Sequence, residues 1–73
     1  MFTIKWVECG RESEPILTEA SSLTNISKLV SACKQDLYRL RALYTDMPPD
    51  GFILIDNEGH EALRWFRVPP PTA

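Results

Sequence analysis

Gly51-Phe-Ile-Leu-Ile-Asp-Asn-Glu-Gly-His-Glu-Ala-Leu-Arg-Trp-Phe-Arg-Val68 is the stretch whose reading decides the fold. Two apolar runs flank a short polar segment that contains Gly59, which is the pattern of a β-hairpin. Asp56, Asn57, Glu58, Gly59 and His60 suit a three-residue loop, a type I turn closed by a left-handed Gly59. In that register Asp56 faces His60 and Ile53 faces Leu63. One face then carries Ile53, Ile55, Leu63 and Trp65. The other carries Phe52, Leu54, Ala62, Arg64 and Phe66. A two-residue loop at Glu58-Gly59 would exchange these partners, because one step of register turns every side chain of a strand over.

Working outward, Phe2, Ile4 and Trp6 alternate with Thr3, Lys5 and Val7, the period of two of a half-buried strand over residues 2–7. Gly10 and the polar run Arg11-Glu-Ser-Glu-Pro15 read as a loop. A second, weaker strand is expected over residues 16–20, at a sheet edge because Pro15 adjoins it. Leu23, Ile26, Val30, Cys33, Leu37, Leu40 and Tyr44 recur at steps of three and four, with Leu29 and Leu43 widening the stripe. They mark an amphipathic helix over residues 23–46, with Ser21, Ser22 and Thr24 as competing N-caps. Pro48-Pro49 stops it. At 1.5 Å per residue such a helix runs about 36 Å, longer than strands of about 20 Å, so it should overhang its sheet. The fold class that follows is α+β: an antiparallel four-stranded sheet of two hairpins, in ββαββ order, with one long helix on one face. Residues 1–68 form the single domain expected. Pro69-Pro-Pro-Thr-Ala73 is expected to be a flexible proline-rich tail.

Composition bounds the function. The 73 residues are 44% hydrophobic and 25% charged, with a net charge of −2. That balance disfavours a nucleic-acid binder, which needs a clustered positive field. No apolar run has the length of a membrane span, and the alternating N-terminus lacks the apolar core of a signal peptide, so a cytoplasmic protein without membrane contact is expected. Two cysteines allow one bridge at most. Cys33 lies on the apolar stripe and Cys9 beside Gly10, without C-x-x-C spacing or basic neighbours, so both read as structural or incidental.

No catalytic set is evident. His60 is the only histidine and has Asp56 for company, but neither a nucleophile nor a pocket accompanies them, and the pair reads as a polar cross-strand contact. Glu8, Glu12, Glu14 and Glu19 lack metal-ligand spacing and read as a solvated loop. The three glycines are scattered, so there is no phosphate loop. No cofactor, metal or small-molecule ligand is inferred, and the chain is not expected to be an enzyme. What remains is the hairpin with two apolar faces. One helix covers one side of a sheet, and the other side needs a partner. The sequence therefore points to a protein–protein interaction module, a homodimer first, whose contact residues are Phe52, Leu54, Phe66, Val7 and Arg64. The alternative is a small nucleic-acid-associated regulator that uses Lys28, Lys34, Arg39, Arg41 and Tyr38 on the helix.

Overall fold

The computed structural model describes residues 1–67, so the reading of Pro69–Ala73 as a tail lies outside the described residues. The chain runs β1 (Thr3–Glu8), β2 (Arg11–Glu12), a 3-10 turn (Glu19–Ser22), α1 (Ile26–Leu43), β3 (Gly51–Ile55) and β4 (Glu61–Phe66). The sheet is antiparallel in the order β2-β1-β3-β4, and the helix lies on one side of it. The fold is α+β.

β1 alternates as its sequence requires, with Ile4 and Trp6 buried under the helix. It returns into β2 through Cys9 and Gly10, both at positive φ (+48° and +80°), the mirror-image turn that matches the twist of a two-residue hairpin. The second strand is thus residues 11–12 and not residues 16–20. Ile16 keeps only a single bridge to Ile4, with N–H···O distances of 2.9 and 3.0 Å. Pro15, just before it, has no N–H to give to the ladder. Beyond it Thr18 and Ser21 bond each other's backbone in a capping box, which turns residues 19–22 into a 3-10 turn and ends the pairing.

That turn also settles the start of the helix. Ser21 is occupied there, and Asn25 caps α1, its Oδ1 accepting from the backbone N–H of Ser27 at 2.9 Å and of Lys28 at 3.3 Å. The expected caps Ser21, Ser22 and Thr24 are not used. Eighteen helical residues span about 27 Å, shorter than the 23–46 reading. The middle of the stripe, Leu29, Cys33 and Leu37, is fully buried, whereas Ile26, Leu43 and Tyr44 at its ends are exposed.

The hairpin closes as read, through Asn57, Glu58 and Gly59. Asp56 N–H donates to the His60 carbonyl at 2.9 Å, Gly59 N–H donates to the Asp56 carbonyl at 3.1 Å, and Gly59 sits at φ +84°. Further along, the ladder slips by one. Ile55 pairs with Glu61 but Leu54 pairs with Leu63, so Ala62 is an extra residue, a β-bulge. Every β3 residue before it faces opposite to the bulge-free reading. Phe52 and Leu54 point under the helix and are fully buried with Leu63 and Trp65 beside them; Ile53 and Ile55 share the other face with Arg64 and Phe66. Packing explains the preference. An unbulged ladder would set Gly51, which has no side chain, opposite Trp65 beneath the helix. The bulged one puts Phe52 there, with its ring 5.4 Å from Trp65 in a stacked pair and 6.1 Å from Trp6 edge-on.

Candidate interaction surface

The helix-free side of the sheet is built in three rows across β1, β3 and β4: Thr3–Ile55–Glu61, Lys5–Ile53–Arg64 and Val7–Gly51–Phe66. β2 adds Glu12 beside Val7. In the third row Gly51 is required by close approach, since a Cβ there would sit 2.6 Å from Phe66 Cδ1 and against the Trp65 carbonyl oxygen. The Phe66 ring fills the space that a larger residue at 51 would need. Val7, 5% exposed, completes this row.

The middle row is more unusual. Ile53 lies on the face away from the helix, yet it is 1% exposed. Its flanking neighbours are Lys5 and Arg64, whose aliphatic stems are the groups placed to cover it. Both charged heads are held outward by acids. Lys5 Nζ lies 3.6 Å from Glu12 Oε1. Arg64 donates to both carboxylate oxygens of Glu61, at 2.7 Å from Nη2 and 3.2 Å from Nε. That forked bond holds the Glu61 carboxyl below its usual range and raises the Arg64 guanidinium above its own. At the row's end a surface depression of about 360 Å³ opens, floored by Val7 and Phe66 and rimmed by Arg64, Glu12, Asp50 and the Cys9-Gly10 turn.

Three of the five contact residues expected from sequence, Val7, Arg64 and Phe66, therefore meet in one place. Phe52 and Leu54 do not: both are 0% exposed in the core, displaced there by the bulge at Ala62. Sequence reasoning missed Ile53 and Ile55, which it put beneath the helix, and it missed Lys5 as a cover for Ile53. The lysine's place in the alternation of β1, on the face away from Ile4 and Trp6, was the available signal.

Three of the four helix cations have side-chain partners inside the chain. Lys34 Nζ stands 5.0 Å from the centre of the Trp65 ring. Arg41 Nη1 donates to Asp50 Oδ1 at 2.7 Å and to the Pro49 carbonyl at 3.1 Å. Arg39 Nη1 is 3.6 Å from Asp36 Oδ1. His60 and Asp56 are joined through the backbone: Asp56 Oδ1 accepts from the N–H groups of Glu58 and His60, both at 2.9 Å. Those donors, His60 first, hold the Asp56 carboxyl below its usual range. The imidazole itself is exposed, with Nδ1 3.6 Å from Glu58 Oε2.

Both cysteines are free, Cys9 exposed in its turn and Cys33 buried. Burial, assisted by the nearby Asp36 carboxylate, pushes the Cys33 thiol up to about 11. Among the described residues no three His, Cys, Asp or Glu side chains gather as a metal site, and no helix is long and apolar enough to cross a membrane. Compared with protein-family models, curated proteins and solved structures, the chain matches none.

Proposed function

We propose that the chain is a small, non-enzymatic protein–protein interaction module of the cytoplasm, and that its partner is a second copy of itself met through the helix-free face. One observation carries this reading: Val7, Arg64 and Phe66 come together around a depression on the side of the sheet that, among the described residues, no helix covers. The charges of that face support a second copy as the occupant. Lys5 and Arg64 are matched by Glu12 and Glu61, and Asp50 on the rim is matched by Arg41, so the face is balanced and carries both signs. A two-fold pairing presents the same patch to itself, and a patch with equal numbers of acids and bases can be self-complementary where a one-signed patch repels its copy. A polyanionic partner would gain little from it. Two unbridged thiols suit a reducing compartment.

Sedimentation equilibrium on the parent and on Phe66→Ser tests the proposal, with thermal melts to confirm that both are folded. The expected result is a concentration-dependent dimer in the parent and weaker association in the variant. A parent that stays monomeric up to about 0.5 mM, a concentration at which even a millimolar interaction is visible, overturns the reading.

A further inference from the structure

We infer that the helix side of the molecule holds a small-molecule site, a depression between α1 and residues 16–19 that takes an apolar α-amino acid. The depression measures about 360 Å³, and the inference does not rest on the proposed dimer. Trp6 forms part of its wall and is only 9% exposed. The backbone N–H of Trp6 is taken by Ser13 Oγ, but its indole N–H makes no hydrogen bond among the described residues. Nor is that donor sealed in the core, since among the described residues no fully buried side-chain nitrogen or oxygen lacks a partner. It reaches solvent in the depression that Trp6 lines. A tryptophan this deeply buried usually gives its N–H an acceptor. Here the acceptor comes from outside the chain.

The rest of the lining decides the ligand's class. Two further donors share it with the indole. Thr18 Oγ1 accepts from the Ala20 N–H at 3.1 Å and keeps its own hydrogen to give. Arg39 Nη1 stands 3.6 Å from Asp36 Oδ1, too far for a hydrogen bond, so its guanidinium has donors to spare. Three donors around one space suit a carboxylate. A plain anion would also meet Glu19 and Asp36, which outnumber Arg39 in the lining. A ligand that carries an ammonium beside its carboxylate turns those two acids into partners. Ile16, 39% exposed, and the half-buried Leu40 offer an apolar side chain its contact. Carboxylate, ammonium and apolar side chain on one carbon define an α-amino acid. The volume stands at the small end of ligand sites, which fits one such molecule and not a longer peptide.

The test titrates the isotope-labelled parent with L-leucine and follows its two indole N–H resonances. Trp65, on β4 and outside the lining, is the internal control. The expected result is a saturable shift of the Trp6 resonance, with that of Trp65 unmoved. N-acetyl-L-leucine lacks the ammonium and L-leucinamide lacks the carboxylate. Each should bind at least about fivefold more weakly than leucine, the factor that one exposed ion pair supplies at the top of its range. Arg39→Gln, whose parent side chain is 72% exposed, should melt with the parent and weaken leucine by the same factor. A Trp6 resonance that stays still at about 20 mM L-leucine, where even low-millimolar binding is nearly saturated, overturns the inference. So does either analogue, or the Arg39→Gln variant, binding as tightly as the parent binds leucine.

Discussion

Phe52 is the residue on which the register of the hairpin can be tested most directly. It is 0% exposed, lies on β3 at the centre of the core, and touches both tryptophans, Trp65 stacked at 5.4 Å and Trp6 edge-on at 6.1 Å. Phe52→Ala removes the whole ring, a change that costs about 3–5 kcal/mol in a packed core. Each lost aromatic pair accounts for about 0.5–1.5 kcal/mol of that. At about 0.05–0.15 kcal/mol per residue, 73 residues hold about 4–11 kcal/mol in total. The substitution thus takes about a quarter or more of the stability, and at the low end it unfolds the chain. With a urea dependence near 1 kcal/mol per molar for so small a domain, the midpoint should fall by about 3–5 M. The assay is urea unfolding followed by tryptophan fluorescence, since Trp6 and Trp65 both report on the ring between them. Ile55→Ala is the control: it lies on the opposite face, half-buried, and should shift the midpoint far less. In the register without the bulge the two results exchange. A fall below about 1 M for Phe52→Ala beside a larger one for Ile55→Ala would refute the bulged ladder.

Three further outcomes are expected. Gly51→Ala forces a Cβ against the Trp65 carbonyl and the Phe66 ring, an overpacking that costs about 1–3 kcal/mol and should lower the melting temperature by at least about 4 °C. Native protein treated with a thiol reagent near neutral pH should lose one thiol promptly, the exposed Cys9, and the second only on unfolding, because Cys33 is buried and pushed up to about 11; prompt loss of both would contradict its burial. The Asp56 carboxyl is depressed by backbone donors that need it ionised, so its contribution is present above the ordinary carboxylate range and is lost as pH falls through the folded value. As pH falls through that value the amide protons of Glu58 and His60 should lose protection relative to their intrinsic exchange rates, and Asp56→Ala should show the same loss of protection at every pH.

How much of this was legible follows from what each residue's neighbours constrain. α1 could be read because Leu29, Cys33 and Leu37 recur at the helical period, and only its ends were misjudged. Its cap was hidden by three hydroxyls ahead of Asn25. Which of them is free depends on the 3-10 turn that Thr18 and Ser21 build, a local competition that stripe-reading ignores. β1 and β4 showed their faces because each alternates, Leu63 and Trp65 against Arg64. β3 did not. Phe52-Ile-Leu-Ile55 is apolar at every position, so its orientation is set wholly by its partner's register, and one extra alanine reverses it. A bulge at Ala62 leaves no turn residue to announce it. β2 was lost for a related reason, since a cysteine at positive φ is not a recognised hairpin signal.

The same register bears on the question raised by a hairpin with two apolar faces. Had Phe52 and Leu54 pointed outward, a large bare surface would have demanded a tight partner. The residues that do point outward are partly closed within one chain: Ile53, between Lys5 and Arg64 whose stems are placed to cover it, is 1% exposed, and Gly51 is closed by Phe66. Two ion pairs hold those stems in place, with Lys5 to Glu12 at 3.6 Å and Arg64 to Glu61 at 2.7 Å. Such long side chains can cover an apolar residue in the monomer and still swing aside, since exposed pairs of this kind are held by about 1 kcal/mol or less. On the proposed reading, association therefore competes with this self-cover and is weak and reversible. It should strengthen when the cover is removed. The pair Lys5→Ala and Glu12→Ala, made together, bares Ile53 and keeps the charges of the face balanced, and it favours the dimer if the helix-free face is the contact. It does nothing for association if that face is merely solvated.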